Sequence, residues 1–79
     1  MALTLENMRA DIARILHESP DEIGADDNLL DLGLDSMRAM NLMLAWSEAG
    51  TELDFTALAE RPTLSGWWAH AEAVQAARG

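Results

Sequence analysis

The chain has 79 residues, 49 % of them hydrophobic, no cysteine, and a formal net charge of −9 from fourteen acidic residues against five arginines. That length supports one modest core with little room for a private substrate cavity, and the apolar content is too high for a disordered acidic segment. The charge argues against nucleic acid and against an anionic membrane surface, and the missing thiols exclude disulfides, thiolate metal sites and a cysteine nucleophile.

Leu5, Met8, Ile12, Ile15 and Leu16 recur at helical spacing with Glu6, Arg9, Asp11 and Arg14 between them, which predicts a first helix over roughly 4–18. Thr4 is the candidate cap, and Ser19-Pro20 supplies the stop. Residues 20–35 read as a long connection punctuated by Pro20, Gly24 and Gly33, with a turn of helix expected after Asn28. Its scattered Ile23, Leu29, Leu30, Leu32 and Leu34 predict partial docking on the core, and loops of this length are often functional. We expect Leu32 to anchor the loop inward and Leu34 to lie near the surface.

A second helix is predicted from Ser36 to about Ala49, ended by Gly50. At 100° per residue its apolar side chains form two stripes. Ala39, Leu42, Met43 and Trp46 make a natural core face, and Met37, Met40 and Leu44 make a second one, shared with Asn41 and Glu48. The second stripe is either covered by the loop or another helix, or left open for partners. The second outcome is favoured, because adaptable methionines suit a surface that meets several proteins.

Asp54 or Thr56 can cap a short helix that Pro62 terminates, and Thr63 caps a last helix over about Leu64–Ala77. Leu64, Trp67, Trp68, Ala71 and Val74 form its apolar stripe, with one of the adjacent tryptophans expected in the core and the other partly covering the end of the bundle. No segment alternates as a strand. The expected fold is all-α: one domain over residues 1–79, a small bundle of three long helices and one short, with a long loop between helices 1 and 2.

Taken alone, Asp35-Ser36 is ordinary helix initiation. A catalytic serine needs a base, and His17 and His70, the only imidazoles, lie near opposite ends of the chain in predicted helices without a triad pattern. The carboxylates Asp26, Asp27, Asp31 and Asp35 match no calcium loop, and the chain is too small to wall off a cleft around them. No catalytic residue and no metal site is therefore expected.

The segment Asp31-Leu32-Gly33-Leu34-Asp35-Ser36-Met37, behind an acidic loop and ahead of a helix, resembles the attachment motif of carrier domains that bear 4'-phosphopantetheine. The resemblance covers nearly the whole chain and implies a bundle of acyl-carrier-protein type. It implies that Ser36 takes the arm from coenzyme A in the active site of a phosphopantetheinyl transferase, with Asp35 in the recognition motif. The absence of cysteine is then consistent, since the reactive thiol arrives on the arm.

Peptidyl carriers often show Gly-Gly-[His/Asp]-Ser-Leu, from which Gly33-Leu34-Asp35-Ser36-Met37 departs. Leu53-Asp54-Phe55, Leu58-Ala59, Pro62-Thr63-Leu64 and Trp67-Trp68 look like aryl carrier domains of siderophore-type nonribosomal peptide assembly. That resemblance implies an aromatic acid as cargo, loaded by an adenylating enzyme and passed to a condensation domain or acyltransferase. Met40, Phe55 and Ala59 match its partner contacts, and Met37 and Leu44 join Met40 in the surplus apolar stripe. A peptidyl or aliphatic acyl carrier is the alternative, and a helical interaction domain in which Ser36 only caps is the rival from another class. With methionine at residue 1, no membrane-length apolar run and no secretory signal, the expectation is a free-standing, monomeric, cytoplasmic protein that binds neither nucleic acid nor membrane.

Overall fold

A computed structural model describes residues 3–78. Helix α1 (Leu5–Leu16) is followed by a short 3₁₀ turn at Pro20–Glu22, then α2 (Ser36–Glu48), α3 (Phe55–Glu60) and α4 (Leu64–Arg78). No strand occurs among the described residues. The expected bundle of three longer helices and one short helix is the architecture found.

The caps act where the residue types placed them. Thr4 accepts from the Asn7 N–H at α1, and Thr63 Oγ1 accepts from the Gly66 N–H in the first turn of α4. Helix α2 closes on a Schellman arrangement: Gly50 sits at φ +111°, its N–H bonds the Ser47 carbonyl, and the Thr51 N–H bonds the Trp46 carbonyl. Helix α1 closes in the same way two residues before the predicted end. His17 takes the left-handed position at φ 58°, and the Glu18 N–H reaches back to the Ala13 carbonyl. His17 is thus exposed as expected but belongs to a cap, not to the helix.

The core gathers Met8, Ile12 and Leu16 of α1, Ala39, Leu42 and Trp46 of α2, Leu58 of α3, and Leu64, Trp67 and Ala71 of α4. Trp46 and Trp67 meet edge to face with centroids 6.0 Å apart, and both buried indoles have a polar partner. Trp46 Nε1 donates to Asp11 at 2.8 Å, and Trp67 Nε1 donates to the Leu58 carbonyl at 2.9 Å. Trp67 is the core tryptophan and Trp68 the partly covered one.

The long connection is lashed down rather than loose. The Leu29 N–H bonds the Pro62 carbonyl at 2.8 Å, the Ser65 N–H bonds the Ala25 carbonyl at 2.8 Å, and Ser65 Oγ bonds Asp26 at 2.9 Å. Ile23, Leu29 and Leu34 are buried; complete burial of one such leucine stabilises the fold by about 2 kcal/mol. The turn expected after Asn28 is present over residues 29–33 as three successive i→i+3 bonds, from the Asp31, Leu32 and Gly33 N–H groups to the Asn28, Leu29 and Leu30 carbonyls, and does not extend into a regular helix. Leu34, expected near the surface, is buried in the core, while Leu32 packs against that core partly buried, inward as expected. Gly33 stands between them at φ +109°, a left-handed conformation that turns the chain just ahead of the buried Leu34.

Candidate functional site

Gly33, Leu34 and Asp35 set the geometry at Ser36. With Leu34 pinned in the core, Asp35 leaves the loop in an extended conformation and becomes the N-cap of α2, its Oδ1 accepting from the Arg38 N–H at 2.9 Å. Ser36 is the first residue inside the helix. Its side chain is exposed, and capping does not need it. The reading in which Ser36 only caps the helix is therefore overturned.

The two stripes of α2 separate cleanly. Ala39, Leu42 and Trp46 are buried and Met43 packs against them partly buried, whereas Met37, Met40 and Leu44 keep 77 %, 44 % and 54 % of their surface open. Leu30, in the turn before Ser36, adds a fourth large exposed apolar side chain. Nothing in the local pattern distinguished Leu30 from the buried Leu29; only the lashing of the loop onto Pro62 decides between them.

A cleft of about 120 Å³ opens directly beside Ser36. Leu30 and Leu34 of the loop, Ala39 of α2, Phe55 and Ala59 of α3, and Trp67 of α4 line it. Phe55 and Ala59 are one turn apart and so share a face of α3; Phe55 is half-buried and Ala59 exposed. The structure therefore brings Asp35, Ser36, Phe55 and Ala59 to one cleft, while Met37, Met40 and Leu44 present a separate face of α2. Trp67, Leu34 and Pro62 also line the cleft and were not among the expected site residues, because four separate segments have to meet before it exists.

Helix α3 is positioned by its own start. Asp54 caps it by accepting from the Thr56 N–H at 3.0 Å, and the Asp54 N–H donates to His70 Nε2 of α4 at 3.0 Å. His70, expected to face solvent, is half-buried and ties the short helix to α4. The loop carboxylates have local duties as well: Asp27 accepts from the Gly24 N–H, and Asp26 from Ser65. No metal-holding group of acidic or histidine side chains occurs among the described residues, and no helix there is long and apolar enough to cross a membrane.

At the start of α2, helix geometry leaves the N–H groups of Ser36 and Met37 without intrahelical acceptors, and the dipole favours negative charge. An exposed hydroxyl at that place, with an apolar cleft beginning at the same residue, suits a phosphodiester-linked group with an apolar portion. A family profile described as "Phosphopantetheine attachment site" matches residues 6–71. The chain belongs to the phosphopantetheine-binding carrier family. It is a carrier rather than a catalyst, and 4'-phosphopantetheine is its prosthetic group.

Similar proteins include isochorismatase of Bacillus subtilis (strain 168), 48 % identical over 64 residues, which are 81 % of this chain and 20 % of that protein. Acyl carrier protein ScoB of Streptomyces coeruleorubidus is 40 % identical over 77 residues, covering 98 % of this chain and 91 % of ScoB. Enterobactin synthase component B of Escherichia coli (strain K12) is 46 % identical over 61 residues, or 77 % of this chain and 21 % of that one. The carrier thus spans about a fifth of the first and third of these relatives and nearly all of the second. Its fold matches the NMR structure of the HMG-ACPI domain from the CurA module of Lyngbya majuscula at a TM-score of 0.75 and 23 % identity, over 99 % of this chain and 85 % of that one.

Proposed function

We propose that Ser36 bears the arm and that this carrier delivers an aromatic acid to nonribosomal peptide assembly of the siderophore type. The observation that carries the assignment of Ser36 is the division of labour at the start of α2. Asp35 takes the cap, and the neighbouring hydroxyl is left exposed on the first helical residue. Ser36 offers that hydroxyl to a phosphopantetheinyl transferase, which supplies the base and magnesium that this chain lacks a pattern for. Asp35 holds the helix start in place during docking. The acidic surface, at a net charge of −9, suits a basic docking face on the transferase. When bound, the arm supplies a thiol on which cargo is held as a thioester.

Met37, Met40 and Leu44, with Phe55 and Ala59 across the cleft, are the proposed contacts for the adenylating enzyme and for the downstream condensation domain or acyltransferase. The aryl reading rests on the Phe55–Trp68 region of the sequence and on relatives named isochorismatase and enterobactin synthase component B. ScoB, matched over nearly its full length and named an acyl carrier protein, supports a general acyl carrier as the second reading. The cytoplasm, expected from the sequence, is the proposed place of action, and a monomer the proposed working form.

Incubation of the apo protein with coenzyme A, magnesium and a broad-specificity transferase should add the arm's mass, and Ser36→Ala should abolish the addition. An unchanged mass in folded protein, with the transferase verified on a control carrier, overturns the assignment. Loading the holo protein with panels of aryl-, aminoacyl- and acyl-activating enzymes then decides the cargo; exclusive loading with aliphatic groups rejects the aryl reading.

A further inference from the structure

We propose that Met37 and Met40 form a reversible oxidation site: each sulfur takes one oxygen from a hydroperoxide, and the resulting sulfoxides close the outward face of α2 to partner enzymes. The inference rests on that face being the partner surface, as proposed above, and adds a chemical control over it.

Access is the first argument. The chain has five methionines and no cysteine, so thioethers are its only sulfur until an arm is attached. Among the described residues they form a graded series. Met8 is fully buried, Met43 is partly buried against the core, and Met40 and then Met37 are progressively more open. A hydroperoxide has to reach the sulfur lone pair. Its O–O bond then breaks as an S–O bond forms; the sulfur loses two electrons, and the second oxygen leaves as water or an alcohol. A close-packed core keeps the reagent from Met8 and hinders it at Met43, so the order of attack is Met37, Met40, Met43, Met8.

The second argument is what the new oxygen does in each state. A sulfoxide is polar where the thioether was apolar. In the free carrier, sulfoxides at Met37 and Met40 stay in water and disturb no packing. In a docked complex the same groups would be stripped of water against an apolar surface, which is costly without a donor to meet them. Oxidation here therefore weakens association and spares the fold, whereas at Met8 it would do the reverse. Position is the third argument. Met37 directly follows Ser36, and Met40 lies one turn further along the same face, so an enzyme that reaches Ser36 meets both sulfurs.

The test treats the apo protein with dilute hydrogen peroxide, quenches with catalase, and only then adds the arm to completion, so that the arm's thiol never meets the oxidant. Intact mass and peptide mapping should find oxygen first on Met37 and next on Met40, with helicity and melting behaviour unchanged. Loading by the adenylating enzyme should slow about threefold or more. Methionine sulfoxide reductases for both epimers, given with a dithiol before the arm is added, should restore the rate. Met37→Leu combined with Met40→Leu should keep after peroxide whatever rate it has before. Oxidation of Met8 or Met43 as fast as Met37 overturns the inference, as does an unchanged loading rate once both outer sulfurs are oxidised. If Met40→Ala slows loading while the sulfoxides do not, only this inference falls; if neither slows it, the partner reading of the face falls as well.

Discussion

The two faces of α2 are built from similar side chains and meet opposite fates. Ala39, Leu42 and Trp46 vanish into the core, while Met37, Met40 and Leu44, on the same thirteen-residue helix, face outward. Burial is therefore not a reading of hydrophobicity residue by residue. The inward face is the one that α1 and α4 can reach, and the outward face is apolar without a structural neighbour to account for it. In a protein this small, each exposed methionine gives up stabilisation that burial would have supplied, which is the physical ground for the partner role proposed for this face.

The sharpest way to break that contrast is to truncate one residue on each face. Trp46→Ala removes the edge-to-face contact with Trp67 and strips Asp11 of an indole donor, and we expect a loss of about 3–5 kcal/mol in urea unfolding. Asp35→Ala removes the cap between the two faces and should cost about 1 kcal/mol, with Asp35→Asn restoring most of it. Met40→Ala should change stability by less than about 0.5 kcal/mol yet slow loading by the adenylating enzyme several-fold. If Met40→Ala destabilised the fold as Trp46→Ala does, or left loading rates untouched, the outward face would lose its proposed role.

The smallest effect lies away from α2. The Glu22 side chain, by hydrogen bonding to Glu18 and by adding a second negative charge beside it, raises the Glu18 pKa from its ordinary value. The folded chain thus takes up that proton more readily than the unfolded one. Acidification through the Glu18 range therefore favours the fold slightly, and the gain is lost as pH rises past it. Both side chains are exposed, so the effect on stability is weak. Glu22→Gln should bring Glu18 back toward ordinary titration, read by carboxyl NMR, without moving the behaviour of either α2 face.

Much of this was legible in the chain of letters. Thr4, Thr63 and Gly50 mark helix ends through side-chain and backbone chemistry that acts within a few residues, and the apolar spacing of each long helix identifies its inner face. What escaped depends on conformations or partners that no local pattern carries. His17 ends α1 in a left-handed position that glycine usually fills, so the Ser19-Pro20 signal overstated the helix. Gly33 reads as a turn residue from the sequence, but its positive φ just ahead of the buried Leu34 has no local signature. At the site, Ser36 was readable from its motif, whereas the cleft beside it required the loop, α2, α3 and α4 to converge. The link from His70 to Asp54 joins residues 16 apart and has no sequence signature.

One further contact has a bearing on geometry at larger scale. The Gln75 side chain bonds both the N–H and the carbonyl of Leu3 and receives the Thr51 hydroxyl, while Leu3 shares a groove with Ala45, Trp46 and Ala49 at the far end of α2 from Ser36. Both flanks of the described chain are thereby gathered at one pole, and Ser36 occupies the other, separated by the length of α2, roughly 20 Å at 1.5 Å per residue. The bundle is a spar: whatever holds it at the Leu3–Gln75 pole sets a pivot, and the helix between adds its own length to the radius over which a group on Ser36 can swing.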